Sequence, residues 1–485
     1  MHKKHFIFSS LFVALLVFSL LPLVNYISDP SRVLHKDYIM RYKKFHQHEL
    51  VLKTVYLIEH KNDYDTMVFG SSRGGFMDMS KISPHAFNLS HGFGTASTYL
   101  YTLKSLLNNG VQMKNVWIGL NDFDIWKDHT PEIHRLTYQN NLWSDRELLS
   151  HWLFRFIPES VSIITHHKML IPTNEVVAQE EHLTFARDRE KVIQKMEHRH
   201  IPAAMLGYTR KFRIQEAISD IKEIKKLCDT HDINLTVFMY PSYYKTYLRY
   251  DQSQIEKFKK ALVKVTNFYD FYDIGSIALN PHKWFEGSHF VPSVGDWIIE
   301  SIHDKEHLVT EENIEARIKQ TRQYLYDMPI LEDEDIYLAD KHTHLDISDY
   351  KTIFDLQDEH FTYQKNDQFH FNATTNEVEA TVYDSDPHIR LNNTHTNAKK
   401  VIFLIKISSP KESLFQIYFK TNQKNGYSEN NSFKLALHAG NNEFRIIIPK
   451  QYINNTIRVD FARNAGLYYI KQFLIKEIPN KKLYK

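Results

Sequence analysis

Ser72, His289 and Glu286 are residue types that together can carry out acyl transfer. A serine hydroxyl attacks a carbonyl well only when a base takes its proton, and an imidazole is the usual base. The imidazole needs its tautomer fixed and its developing positive charge balanced, which a carboxylate three residues away in one loop can do. The tetrahedral intermediate needs donors aimed at its oxyanion, each worth about 3–4 kcal/mol. Candidates are the Ser72 backbone N–H, a glycine N–H from Gly92 or Gly94, and the Asn121 side-chain amide. Ser71 is an alternative nucleophile beside Ser72. Arg73 offers a cation to an anionic substrate group or to an ion pair, and Asp122 can order its own loop through side-chain to backbone bonds.

These residues fall in four separated segments: Gly70-Ser71-Ser72-Arg73, residues 88–96, Gly119-Leu120-Asn121-Asp122, and Glu286-Gly287-Ser288-His289. Each alone is common; their placement is what links them. Residues 65–70, 115–119, 234–240 and 268–271 are short apolar runs of strand type, and helical spacing lies between them at 95–107, 210–232 and 254–265. Strands alternating with helices predict a parallel sheet covered on both faces. In such a sheet ligands bind beyond the carboxyl ends of the strands, so the four segments can converge on one edge.

The expected fold class is therefore α/β, a flavodoxin-like three-layer parallel sheet, spanning residues 29–305 with a helical insertion at about 127–205. Residues 306–344 read as a charged, helical or linker segment. From 345 to 485 the pattern changes to short runs such as 401–407, 414–419 and 444–448, separated by turns rich in Asn, Gly and Lys. That pattern predicts an antiparallel all-β sandwich.

As a set, the four segments resemble the blocks of the SGNH hydrolase superfamily: Gly-x-Ser, Asn with a following Gly, Gly-x-Asn-Asp, and a late acid-x-x-His. The resemblance implies Ser72 as nucleophile, His289 as base, Glu286 as its acid partner, and Ser72, Gly92 or Gly94, and Asn121 as oxyanion donors. Ser71 and Glu286 both stand where the family usually has Asp. The chain also resembles membrane-anchored proteins of polysaccharide O-acetylation, of the alginate acetylation and teichoic acid D-alanyl transfer type. The shared features are an N-terminal apolar run, Val68 to Arg73, and Phe285 to Phe290 followed by Val294-Gly-Asp-Trp297. That likeness implies a polysaccharide acceptor and an acyl donor delivered by a multi-spanning membrane acyltransferase. It also implies a carbohydrate-binding-module-like, candidate glycan-binding sandwich.

Lys3 and Lys4 precede an apolar run from Phe6 to Val24, close to the roughly 20 residues that span a bilayer. Residues 1–28 are thus expected to be a single-pass anchor in the inner membrane, with the catalytic part extracytoplasmic, on the periplasmic side. Secretion after signal cleavage is the alternative. The formal net charge of +2 on 485 residues gives no field that would draw nucleic acid. Lone Cys228 excludes an intrachain disulfide framework, and the 28 His are scattered rather than set at metal-ligand spacings. The chemistry calls for no cofactor. The expected function is transfer of an acyl group, acetyl above all, to a cell-envelope or secreted polysaccharide. A carbohydrate acetyl esterase and a non-catalytic glycan-binding scaffold are the alternatives.

Overall fold

The computed structural model describes residues 19–479, apart from 44, 139–148, 167, 173–178, 198, 200, 202–203, 205–211, 249, 251, 328–336, 340–346, 359, 367–368, 373–377, 383–386, 392–395, 421–426, 428–431 and 454–455. Six strands build the first sheet: β1 (Thr66–Phe69), β2 (Ala86–Asn88), β3 (Asn115–Leu120), β4 (Asn234–Met239), β5 (Phe268–Asp270) and β6 (Leu308–Val309). Their spatial order is β2-β1-β3-β4-β5-β6. The first five are parallel, and β6 closes the edge antiparallel to β5.

The period-two geometry of a strand divides its side chains between two cores. Met67 and Phe69 of β1, Val116 and Ile118 of β3, and Val237 and Met239 of β4 face one core. Helices α1 (Glu49–Glu59), α2 (Ala96–Asn108), α4 (Ile214–Thr230) and α5 (Gln252–Val263) cover it with Leu57, Leu103, Ile224 and Phe258. Val68, Trp117 and Phe238 face the other way, onto α3 (Gln179–Ile193) and α6 (Pro292–His303). The strands are therefore apolar along their length because both faces are covered.

After α7 (Ile314–Asp327) the chain forms two antiparallel sheets. Among the described residues one has seven strands, centred on Lys400–Ser409, Gly440–Pro449 and Gly466–Ile478, and the other has five. Phe403, Phe415, Phe461 and Phe473 fill the space between them. Ile402, Leu404, Ile447 and Ile478 point out of the seven-stranded sheet and join the core of the α/β unit. Burying them removes apolar area from water at about 25 cal/mol per Å², so the sandwich docks as a wall rather than hanging on a linker.

The membrane-spanning helix expected over residues 1–28 is corrected here. Among the described residues, no helix is long and apolar enough to cross a membrane. Residues 1–18 lie outside the described residues; residues 19–28 are helical. The end of that helix is built against protein. Asn25 and Ser28 are buried, and Asn25 Nδ2 donates to the carbonyls of Leu153 and Arg155 at 2.7 and 2.8 Å. The single-pass placement in the inner membrane, with a periplasmic catalytic part, is withdrawn with it.

Candidate active site

The carboxyl end of β1 runs into a 3₁₀ turn, Ser72–Phe76. Ser71 is buried at its N-cap, where its Oγ accepts from Arg73 N–H and donates to Asn121 Oδ1 at 2.8 Å. Ser72 is exposed one residue later, and its Oγ lies 2.7 Å from His289 Nε2. The neighbouring serines thus have different roles: one ties β1 to the end of β3, and the other meets the imidazole.

His289 reaches Ser72 because its loop is pinned at the base. Trp284 and Phe290 are both buried and form a bridge across the loop. Phe285 N–H donates to His289 O at 2.8 Å, and Val291 N–H donates to Lys283 O at 3.0 Å. Pro292 then opens α6, where its missing N–H costs nothing. Gly295 lets α6 lie directly on the Ser72 turn, since a Cβ there would sit 2.3 Å from Phe76 O. The same close approach holds the His289 loop over Ser72.

Glu286 Oε1 bonds His289 Nδ1 and accepts from Ser288 Oγ at 2.7 Å, while Oε2 accepts from Ser288 N–H at 3.0 Å. Ser288 therefore clamps the longer glutamate arm in place. Burial pushes the Glu286 carboxyl up, but the bonds from His289 and Ser288 outweigh it and hold it at about 2. A carboxylate that stays ionised beside Nδ1 fixes the tautomer that leaves Nε2 free to accept from Ser72. Phe76 adds an edge-on ring contact to His289 at 5.7 Å between centroids.

Arg73 is buried and does not face solvent. Its Nε donates to Ser288 O at 2.9 Å, and its Nη2 lies 3.5 Å from buried Asp122. Both residues act as ties between the Ser72 turn, the end of β3 and the His289 loop. Asn121 is likewise fully buried. Its Nδ2 lies 3.4 Å from Gly94 O and from Asp124 Oδ2. The Gly94 N–H donates to His91 O at 3.1 Å, and Gly92 is exposed in the same turn. The Gly94 and Asn121 donors are thus engaged inside the protein, whereas Ser72, His289 and Glu286 are brought together.

Four supporting residues gave no sequence signal. Asp124 accepts from the N–H groups of Asn121 at 2.7 Å and Ala96 at 2.8 Å, joining β3 to the start of α2, and burial pushes it up to about 7. Ser288 bonds Glu286 through both its hydroxyl and its N–H. Arg187 of α3 grips Asp296 of α6 through both Asp oxygens at 2.9 Å and Asp78 at 3.1 Å. Arg199 donates to the carbonyls of Pro281, Trp284 and Phe285. The helical insertion therefore braces the loop that carries His289. Isolated arginines have no periodicity, so only the folded contact reveals them.

No family model and no curated protein matches the sequence. Solved structures similar to this chain include "BiXyn10A CBM1 APO", at 9% identity over 24% of this chain and 91% of that chain, with a TM-score of 0.20. A second is a Clostridium thermocellum xylanase fragment with CBM22-1 and GH10 modules in complex with xylohexaose, at 9% identity over 27% of this chain and 29% of that chain, TM-score 0.22. A third is the family 29 carbohydrate-binding module CBM29_1 from Piromyces equi, at 12% identity over 29% of this chain and 89% of that chain, TM-score 0.20. The likeness is to carbohydrate-binding modules and concerns the C-terminal β-sheet region.

Proposed function

We propose that this chain is a serine acyl-transfer enzyme of SGNH type that moves an acyl group, acetyl above all, onto a polysaccharide hydroxyl. The observation that carries the reading is the relay Ser72 Oγ, His289 Nε2, His289 Nδ1, Glu286 Oε1, with a 2.7 Å contact at the exposed end. In the proposed reaction, Ser72 Oγ bonds to the acyl carbon as His289 takes the hydroxyl proton. His289 then gives that proton to the leaving group of the donor. A sugar hydroxyl next attacks the acyl-enzyme, its proton passes to His289 Nε2 and back to Ser72 Oγ, and the ester leaves on the sugar. With water as acceptor the same steps make an esterase.

The experiment is incubation of the protein with an activated acetyl ester, followed by intact mass and turnover measurements with and without a polysaccharide acceptor. An acetyl adduct that the acceptor discharges supports transfer, and an adduct discharged equally fast by water supports the esterase. Retention on polysaccharide with no adduct returns the glycan-binding scaffold.

A further inference from the structure

The turn from His91 to Gly94 holds a residue in an unfavourable conformation. Phe93 has φ of 57°, the left-handed region that a side chain with Cβ occupies only at a cost. Glycine flanks it on both sides, yet the strained position itself carries a large aromatic side chain that is 53% exposed. Local propensity does not account for that choice, and a ring left half in water contributes less to folding than a buried one.

The ring is nevertheless held in place. Phe93 O accepts from His129 Nε2 at 2.9 Å, Phe123 packs against the ring at 5.9 Å between centroids, and Lys127 Nζ lies 5.4 Å from its centre. The turn is also seated on the nucleophile strand. His91 N–H donates to Gly70 O at 3.1 Å, and Gly94 packs so closely on that carbonyl that a Cβ would lie 2.4 Å away. Gly70 is two residues from Ser72, so the turn that carries Phe93 is seated on the strand end that leads into the Ser72 turn.

We infer that Phe93 is a positioning residue for the acceptor. Its exposed ring stacks, through the face away from Lys127, on a pyranose of the polysaccharide and holds a hydroxyl towards the acyl group on Ser72, with Lys127 favouring acidic sugars. Sugar rings present C–H bonds on a flat face, and an aromatic ring binds that face while leaving the hydroxyls free. The inference deepens the acyl-transfer reading and rests on it, but its test does not require turnover.

The test measures binding of two probes, xylohexaose and a hexagalacturonate, by calorimetry to the Ser72→Ala protein, alone and with Phe93→Gly, Phe93→Ala or Phe93→Tyr. Phe93→Gly relieves the backbone strain, so its melting temperature stays level or rises. Affinity for at least one probe is expected to fall about fivefold to tenfold in the Gly and Ala variants and to persist in the Tyr variant, the scale of one stacking contact. Equal affinity in all variants, or no binding of either probe to the parent, overturns the inference. Loss of affinity in the Tyr variant as deep as in Gly also overturns it. Failure of the acyl-transfer reading shows separately, as absence of an acyl adduct on the protein that retains Ser72.

Discussion

Glu286→Gln tests whether the carboxylate works through His289. The substitution keeps the shape of the side chain and removes its charge. Glu286 accepts three hydrogen bonds, from His289 Nδ1, Ser288 Oγ and Ser288 N–H. An amide nitrogen placed at either oxygen must face a donor, so at least one of these bonds becomes a clash of donors. A bond to a charged group contributes about 1.5–3 kcal/mol. The Glu286 side chain is 49% exposed, so solvent screens the pair and the lower end applies. Adding the lost stabilisation of the imidazolium, and taking each 1.4 kcal/mol as tenfold, the rate of Ser72 acylation should fall about 10- to 100-fold. The assay is stopped-flow release of the chromophore from an activated acetyl ester, with circular dichroism to verify folding. A rate within about twofold of the parent would refute the reasoning, because a factor of two is less than 0.5 kcal/mol.

Two further outcomes follow from the same contacts. Ser71→Ala leaves the buried Asn121 Oδ1 without its 2.8 Å donor, so denaturant unfolding should show a loss of about 1–3 kcal/mol while Ser72 still acylates. His91 is buried and burial lowers it to about 3, far below the 6.5 of a free imidazole. Below about pH 6.5 the unfolded chain takes up a proton that the folded one refuses, so stability is complete above that pH and declines as the pH falls towards 3. Between neutral-to-alkaline pH and about pH 5 this amounts to about 2 kcal/mol, and His91→Gln should flatten the acid slope of the unfolding free energy by about that much.

The strands that carry the site were legible because each is an apolar run closed by a chain-breaking residue. Residues 66–69 stop at Gly70, and residues 234–239 stop at Tyr240-Pro241. β2 and β6 were not read, since three and two residues give no pattern to count. The run 401–407 reads as a sandwich strand, yet its residues 401–405 are apolar at every position. Val401 and Phe403 fill the sandwich while Ile402 and Leu404 meet the α/β core, and a strand buried on both faces loses its alternation. The pairing of Glu286 with His289 was visible as spacing; the Ser288 clamp and the Arg187 and Arg199 braces exist only in three dimensions. Asn121 and Gly94 matched motif positions, but a motif does not say whether a donor points outwards or inwards. The apolar N-terminal run likewise looks the same whether lipid or protein lies beside it, and Asn25, just after it, is bonded to the 153–155 backbone.

Intact-mass measurement of the protein after exposure to an activated acetyl ester, with peptide mapping of the adduct, tests the central claim most directly. The account predicts one acetyl group on Ser72, absent from Ser72→Ala and present in Ser71→Ala. An adduct on another residue, or none on a folded protein with the Ser72–His289 contact intact, would contradict it.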